Sequence, residues 1–169
     1  MNQPGPTTHD SPVAEAADEA AVRALFERMM EGWNAGSGEA FAAPFTEDAD
    51  FVAFDGTQLR GRREVAALHQ DLFDKWLKGT RLVGHCDVRF LSPDVALLIG
   101  YGGTVMRGKS NPAPERDSIQ TLVAVRRDGE WRLASFQNTR SRPIGRSLPG
   151  TLIWAVTDLL WKLVRRRAS

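Results

Sequence analysis

The chain of 169 residues contains a single cysteine, Cys86. One thiol excludes an intramolecular disulfide and a cysteine-rich zinc site, and it is typical of a protein from a reducing cytoplasm. An excess of either charge is also missing, because 22 lysines and arginines stand against 21 acidic residues and leave a net charge of +1. Nucleic acid is therefore not the expected partner, since phosphate binding requires a concentrated basic surface.

Signals for export, nucleotide binding and metal binding are missing as well. The first ten residues are polar and proline-rich, without the apolar stretch of a secretory signal, so we expect a cytoplasmic protein. No Gly-x-Gly-x-x-Gly opens a helix after a strand, and we expect no cofactor. The three histidines, His9, His69 and His85, show no metal-ligand spacing, so we predict no metal site. No pair of carboxylates has a spacing that favours hydrolysis.

Composition divides the chain into four parts. Residues 1–11 are predicted to be a disordered arm, because almost nothing there can be buried. Residues 12–142 form the predicted globular domain, 143–150 a linker, and 151–169 an apolar helix with a basic end. The helical stretch 151–164 is too short for a bilayer span, which takes roughly 20 apolar residues. It could pack on the domain, dimerise or lie on an anionic membrane, and we favour packing or dimerisation.

Apolar residues recur at helical spacing in two segments. The first helix is predicted to begin at Ser11-Pro12 and to end at Gly36. A short second helix is expected over residues 37–45, limited by Pro44. The third opens at Gly61 and ends at Gly79. The apolar stripe of the first helix is Val22, Leu25, Phe26, Met29, Met30 and Trp33, and that of the third is Val65, Leu68, His69, Leu72, Phe73 and Trp76.

Shorter segments alternate between apolar and polar residues, which predicts strands. A first strand is expected over residues 50–54, and an antiparallel meander follows. Its strands are predicted over residues 82–90, 95–106, 117–127 and 131–140, the last two joined by an Asp-Gly hairpin turn. Gly100, Gly102 and Gly103 interrupt the long strand. They predict a bulge or sharp bend that would curl the sheet around a helix.

Five segments occur in an order that resembles a known superfamily. They are Trp33-Asn34-Ala35-Gly36, Phe45-Thr46-Glu47-Asp48-Ala49-Asp50-Phe51, Asp117-Ser118-Ile119-Gln120-Thr121, Gly129-Glu130-Trp131-Arg132 and Phe136-Gln137-Asn138-Thr139-Arg140. Over residues 15–142 the chain resembles the SnoaL-like branch of the nuclear transport factor 2-like superfamily. More narrowly, it resembles the SgcJ/EcaC group, whose members are often encoded near polyketide and enediyne antibiotic pathways.

The resemblance implies an α+β fold and a shared architecture. Three N-terminal helices would pack on a strongly curved, mostly antiparallel sheet, forming a cone-shaped barrel with one enclosed pocket. The predicted C-terminal helix would be an addition to that barrel. Proteins of this fold commonly dimerise through the sheet, so a homodimer is expected. The same fold serves enzymes and binding proteins, so the fold alone does not determine the chemistry.

Ketosteroid isomerases of this fold provide a negative test. They use a general-base aspartate on the first strand and an oxyanion-hole tyrosine on the first helix. Aligned on Glu47-Asp48-Ala49, this chain has Ala53 at the base position and Met29 near the tyrosine position. Neither side chain can transfer a proton, which argues against the isomerase mechanism.

His69 is the most suggestive polar residue, because it interrupts the apolar stripe of the third helix and should face the sheet. One interpretation is a pocket acid/base that titrates near neutral pH. The other is a buried, neutral histidine that hydrogen-bonds a backbone carbonyl.

Two glutamines interrupt neighbouring predicted strands. By alternation, Gln137 shares one face with Trp131 and Leu133, so we expect it to point inward. A buried glutamine needs partners. Gln120 and Gln137 could bind a ligand carbonyl or hydroxyl, or they could form a structural network with His69.

Aromatic side chains and one further amide complete the predicted ligand-binding set. Its members are Trp33, Phe54, Phe73, Trp76, Tyr101 and Asn138. Such a cavity suits a flat, largely apolar ligand such as a polyketide, although the same residues could form an ordinary core. Asn138 and Arg140 lie on the strand face opposite Gln137, where a rim or an oligomer interface is the other interpretation.

The resemblance implies a small cofactor-independent enzyme with acid/base chemistry of the cyclase, isomerase or hydratase type. His69 would shuttle a proton, while Gln120 and Gln137 would orient a carbonyl of a hydrophobic, polyketide-like intermediate. The alternative is a non-catalytic protein that binds or carries such a molecule.

Overall fold

The computed structural model describes residues 12–141, Leu152 and residues 155–157. The helices are α1 (Pro12–Asn34), α2 (Gly38–Ala42), α3 (Gly61–Lys75) and a 3-10 turn (Pro114–Arg116). The strands are β1 (Phe45–Val52), β2 (Gln58–Arg60), β3 (Arg81–Ser92), β4 (Val95–Val105), β5 (Ser118–Arg127) and β6 (Glu130–Arg140).

Some predicted parts of the chain fall outside this description. The predicted arm over residues 1–11 and the linker over residues 143–150 are among them. Of the predicted helix over residues 151–164, only Leu152 and residues 155–157 are described, and these are helical. The domain boundaries therefore stay predictions. Within the described residues, no helix combines the length and the apolar character needed to cross a membrane.

The six strands form one mixed sheet in the order β2-β1-β6-β5-β4-β3. All neighbouring pairs are antiparallel except β1 and β6, which run parallel. The α+β class is confirmed, but the prediction of a barrel is wrong. Closing a sheet requires its two edge strands to pair. Here the edges are β3 and the three-residue β2, which the sequence pattern did not reveal, and they are not neighbours.

The core lies between the helices and the inner face of the sheet. From α1, the side chains of Val22, Leu25, Phe26 and Met29 are at most 3% exposed, as the apolar stripe predicts. They pack with inward residues of the strands, among them Leu98, Leu122 and Leu133. Each methylene group removed from water contributes about 0.8 kcal/mol, so this contact accounts for much of the stabilisation of α1.

A polar network fastens the start of α1 to the sheet. Arg126 Nη1 donates to both carboxylate oxygens of Asp18, at 2.8 and 2.9 Å. Trp131 Nε1 donates to Asp18 Oδ1 at 3.0 Å, and the Arg126 guanidinium lies 5.0 Å from the Trp131 ring centroid. Because Asp18 and Arg126 are both largely buried, the pair fixes the position of α1 on the strands β5 and β6.

Two glycines bring the three α-helices into backbone contact. A Cβ atom on Gly32 of α1 would lie 2.2 Å from the backbone nitrogen of Phe41 in α2. A Cβ atom on Gly38 of α2 would lie 2.2 Å from the carbonyl oxygen of Ala66 in α3. The short α2 is therefore held tightly between α1 and α3, which positions Phe41 beside His69.

The glycines of β4 serve close packing, and the prediction of a bulge there is wrong. Pairing of β3 with β4 continues without a register shift from Arg81 opposite Val105 to Phe90 opposite Ala96. A Cβ atom on Gly100 would lie 2.6 Å from Phe26 Cε2 and 2.7 Å from Gln120 Oε1. Gly100 thus makes room for two inward side chains.

A bulge does occur on β6. Val123 of β5 pairs with Ser135, but its neighbour Ala124 pairs with Leu133, so Ala134 is an extra residue on β6. An extra residue shifts the alternation of side chains by one position. Every β6 residue after Ala134 therefore lies on the face opposite to the one that counting from Trp131 predicts.

Candidate functional site

A cavity of about 270 Å³ lies between the helices and the sheet. Most of its wall is apolar, with aromatic rings from Phe26, Trp33, Phe41, Phe51 and Phe136. The rings of Phe51 and Phe136 stack with centroids 4.4 Å apart and planes inclined by 8°. Such a wall is suited to a flat, apolar molecule.

His69 lies on this wall and is 5% exposed. Its Nδ1 is 2.8 Å from the carbonyl oxygen of Val65, one turn earlier in α3. Because a carbonyl oxygen only accepts, Nδ1 carries the hydrogen and Nε2 is the unprotonated nitrogen. The ring stacks on Phe41 at 4.1 Å and meets the edge of Phe51 at 5.3 Å, so α2 and β1 hold it in place.

Burial determines the charge state of His69. Desolvation lowers its pKa from 6.5 to about 4, although the hydrogen bond to Val65 acts in the opposite direction. The predicted titration near neutral pH is therefore wrong, and the imidazole is neutral there. The interpretation as a buried histidine that bonds a backbone carbonyl is confirmed. Since the ring also lines the cavity, His69 is available as a neutral proton acceptor.

Gln120 of β5 lies on the polar part of the wall. Its Nε2 donates to Ser118 Oγ at 2.6 Å and, more weakly, to Asn138 Oδ1 at 3.5 Å. Its Oε1 is buried and has no hydrogen-bond partner among the residues that the structure describes. An unmet buried acceptor costs about 1–3 kcal/mol, so a ligand with a hydroxyl or N–H group would find an acceptor here.

The prediction that Gln137 points inward is wrong. Gln137 is exposed and pairs with Thr121 on the outer face of the sheet, because the bulge at Ala134 reverses the alternation. The bulge also excludes the predicted network of Gln120, Gln137 and His69, and Gln120 instead bonds Ser118 and Asn138. Asn138, a member of the predicted ligand-binding set, lines the cavity. The apolar Phe136 was the sequence signal that could have revealed the bulge, because it breaks the alternation that Trp131 and Leu133 begin.

Of the five aromatic residues predicted to bind a ligand, the structure places three on the cavity wall and two away from it. Trp33, Phe54 and Trp76 line the cavity. Phe73 is 3% exposed, packs edge-on against Trp33 at 5.2 Å, and is not part of the wall. Tyr101 lies on the outer face, stacked on His85 at 5.4 Å, because its neighbours Gly100 and Gly102 occupy the inward positions of β4.

Two arginines lie at the mouth of the cavity. The sequence predicted a rim or an oligomer interface for Arg140, but it did not identify Arg116. Arg116 is the last residue of the 3-10 turn before β5, and Arg140 ends β6 on the inward face that the bulge creates. Arg140 Nη1 donates to the carbonyl oxygen of Arg116 at 2.8 Å. Its guanidinium carbon lies 4.1 Å from the ring centroid of the half-exposed Phe54. Ala53 and Met29 also line the cavity and supply no acid or base.

Gln120→Leu tests the unmet acceptor. We expect the free energy of unfolding to change by less than about 1 kcal/mol, because removing the unpaired oxygen offsets the loss of the bonds to Ser118 and Asn138. Urea unfolding of the variant and the parent measures this change. Gln137→Leu on the exposed face is the matched control. A loss of about 2 kcal/mol or more for Gln120→Leu would show that Oε1 already has a partner.

Comparison with known proteins identifies the family. The family described as the SnoaL-like domain matches residues 14–137. No curated protein matches the chain. A structure from Nostoc punctiforme, described as a domain of unknown function with a cystatin-like fold, is 40% identical. It covers 88% of this chain and 98% of its own, with a TM-score of 0.74.

Two structures that are named after enzymes share the fold at low identity. A type 2 hexachlorocyclohexane dehydrochlorinase is 18% identical over 78% of this chain and 90% of its own, with a TM-score of 0.67. A structure from Novosphingobium aromaticivorans, to which the name scytalone dehydratase has been assigned, is 18% identical. The match covers 79% of this chain and 97% of that structure's chain, with a TM-score of 0.59. The matched residues make up most of the described domain, and the chain therefore belongs to the SnoaL-like domain family.

Proposed function

We propose that the protein is a small enzyme that needs no cofactor and transfers a proton on a hydrophobic small molecule bound in the cavity. The observation that carries this proposal is the state of His69 on an apolar wall. The Val65 carbonyl holds Nδ1–H at 2.8 Å, and the pKa of about 4 leaves Nε2 unprotonated near neutral pH. A positioned imidazole of this kind can act as a general base.

Elimination and enolisation are the reaction types that fit such a base. Loss of hydrogen chloride or water requires removal of a proton, and the names of the two neighbouring enzymes describe a dehydrochlorinase and a dehydratase. The cyclase, isomerase and hydratase types expected from the sequence begin in the same way. Gln120 would accept a hydrogen bond from a ligand hydroxyl, since the unpaired atom is its Oε1.

The proposed substrate is a flat polyketide-like intermediate, and the proposed subgroup is SgcJ/EcaC. The stacked rings of Phe51 and Phe136 and the rings of Trp33 and Phe41 support a planar apolar ligand. A cavity of about 270 Å³ would hold two or three fused rings only if part of the molecule extends through the mouth beside Phe54.

His69→Gln tests the proposed role. We expect turnover to fall by about 100-fold or more, because general-base catalysis contributes at least that much, while ligand affinity changes little. Native mass spectrometry of freshly purified protein identifies a retained ligand. That ligand is then supplied to the parent and the variant, and conversion is followed by liquid chromatography with mass detection. His85→Gln, on the outer face, is the matched control.

A ligand carrier is the second candidate. One observation favours it, because among the described residues of the cavity wall no carboxylate accompanies His69. A neutral histidine with a pKa of about 4 is also a weak base in the empty cavity. If neither the parent nor His69→Gln converts the retained ligand, while both bind it equally, the protein is a carrier and the enzyme proposal is wrong.

We further propose a homodimer formed through the outer face of the sheet. Apolar side chains on this face are partly exposed, among them Ile119 at 42% and Tyr101 at 37%. Polar residues such as Thr121 and Gln137 surround them. Burying such a face is favourable in proportion to its apolar area. The same native mass spectrum reports the subunit number, and a monomer at all concentrations would contradict the proposal.

A further inference from the structure

We propose that the ligand of this cavity carries an anionic group, a carboxylate in the simplest case, which Arg116 and Arg140 bind at the mouth. This inference rests on the proposed function, because it concerns the same cavity and adds an acidic end to the hydrophobic ligand. It assigns a role to two residues that the proton transfer at His69 does not use.

The described wall of the cavity carries positive and no negative side chains. Among its described residues, the groups that can ionise are His69, Arg116 and Arg140, and none is a carboxylate. His69 is neutral near neutral pH, so the wall carries two positive charges. Arg116 forms no ion pair with any residue in the described part of the chain. Two cations on the rim of a mostly apolar cavity favour a negatively charged ligand group.

The Arg140 guanidinium is held in place before any ligand binds. It is fixed from two sides, by the hydrogen bond to the Arg116 carbonyl at 2.8 Å and by the Phe54 ring at 4.1 Å. That hydrogen bond also ties Arg140 to the backbone of Arg116, which keeps the two cationic residues together. A planar guanidinium that is held in advance loses little freedom when it binds a carboxylate.

Hydrogen-bond acceptors and donors lie in different parts of the cavity wall. Gln120 lines the cavity, and its unpaired Oε1 can only accept a hydrogen bond, so this oxygen would repel a carboxylate placed beside it. The arginines present only N–H donors. The acidic group therefore belongs at the mouth beside Phe54, and the apolar rings belong between α1, α3 and the sheet, near His69.

Binding of two matched probes tests the proposal. The naphthoate anion and uncharged naphthamide have the same ring system and nearly the same shape, and each is titrated into the full-length protein by calorimetry. We expect naphthoate to bind about tenfold more tightly than naphthamide. Arg116→Gln and Arg140→Gln should each weaken naphthoate binding by about tenfold and naphthamide binding by less than about twofold.

Two controls keep the test decisive. Arg63→Gln removes an exposed arginine of α3 that is not part of the wall, and it should change neither affinity. Arg140→Gln also removes the bond to the Arg116 carbonyl and could disturb the mouth. Arg116→Gln breaks no hydrogen bond of a described side chain, and naphthamide affinity reports whether each variant keeps its cavity.

Every result decides between supporting and rejecting the proposal. The proposal is supported if the parent binds naphthoate more tightly than naphthamide and both arginine variants abolish this difference. It is overturned if the parent binds the two probes with equal affinity, or if the variants lose affinity for both probes equally. Either of these results leaves the hydrophobic cavity of the proposed function intact. Failure of both probes to bind the parent overturns the anionic ligand together with the proposed hydrophobic binding site.

Discussion

Gly32→Ala is expected to destabilise the fold by about 2–3 kcal/mol, because the added methyl group would lie 2.2 Å from the backbone nitrogen of Phe41. Helix propensity alone predicts the opposite sign, since alanine stabilises a helix interior by about 1 kcal/mol relative to glycine. The clash prevails because the backbone of α1 fixes the added Cβ atom and its nearest neighbours are backbone atoms of α2, so no side chain can rotate away. Thermal unfolding should show a melting temperature lower by roughly 5–10 °C.

Gly36→Ala is the matched control, four residues further along the chain. A Cβ atom there meets nothing within 4 Å, and the cost arises only from the backbone angle φ of +67°. A left-handed conformation costs a non-glycine residue about 1 kcal/mol. We therefore expect Gly32→Ala to be clearly the more damaging of the two. A neutral or stabilising Gly32→Ala would mean that α1 and α2 are not in backbone contact.

Acid is expected to destabilise the protein by about 3 kcal/mol through His69 alone. In the folded protein its pKa is about 4, whereas an exposed histidine has the ordinary value of 6.5. Between these values the unfolded chain binds a proton that the folded protein excludes. The stabilisation from keeping His69 neutral is therefore complete above pH 6.5, is lost as the pH falls towards 4, and does not change further below that.

Urea unfolding of the parent and of His69→Gln across this pH range measures the effect. The difference in unfolding free energy between the two proteins should fall by about 3 kcal/mol between neutral pH and pH 4. Exposed carboxyl groups, such as Asp55 with its pKa lowered by the Thr57 backbone N–H, affect both proteins equally. His85→Gln should reproduce the pH dependence of the parent. A pH-independent difference would show that water reaches the His69 ring.

Residues with strong local signals were predictable. The stripe of α1 follows from helical periodicity, and the Asp128-Gly129 turn follows from its type, because each depends on neighbours in the sequence. The stripe of α3 is confirmed only as far as Phe73, because α3 ends at Lys75 rather than at Gly79 and Trp76 is exposed. Placing His69 towards the sheet depended on the same periodicity. Its pKa was not predictable, since desolvation depends on Phe41 and Phe51, which belong to other elements.

Features that arise from long-range packing were not predictable. Gly32 looks like an ordinary helix residue until α2 lies against it. The three-residue β2 is too short for a period to be recognised. Arg116 and Arg140 are far apart in sequence and meet only through β5 and β6. Gln137 was misplaced because the extra residue on β6 leaves one mark in the strand pattern, the apolar Phe136 at a position expected to be polar.

The bulge at Ala134 also has a consequence for how such proteins diverge. It sets which half of β6 faces the cavity, now Phe136, Asn138 and Arg140, and which half faces outward, now Ser135, Gln137 and Thr139. Deleting one residue there would exchange the two sets at once and turn Arg140 away from the cavity, leaving Arg116 as the cation of the rim. A single codon lost or gained would thus change the charge of the cavity wall in one step, with every other side chain retained.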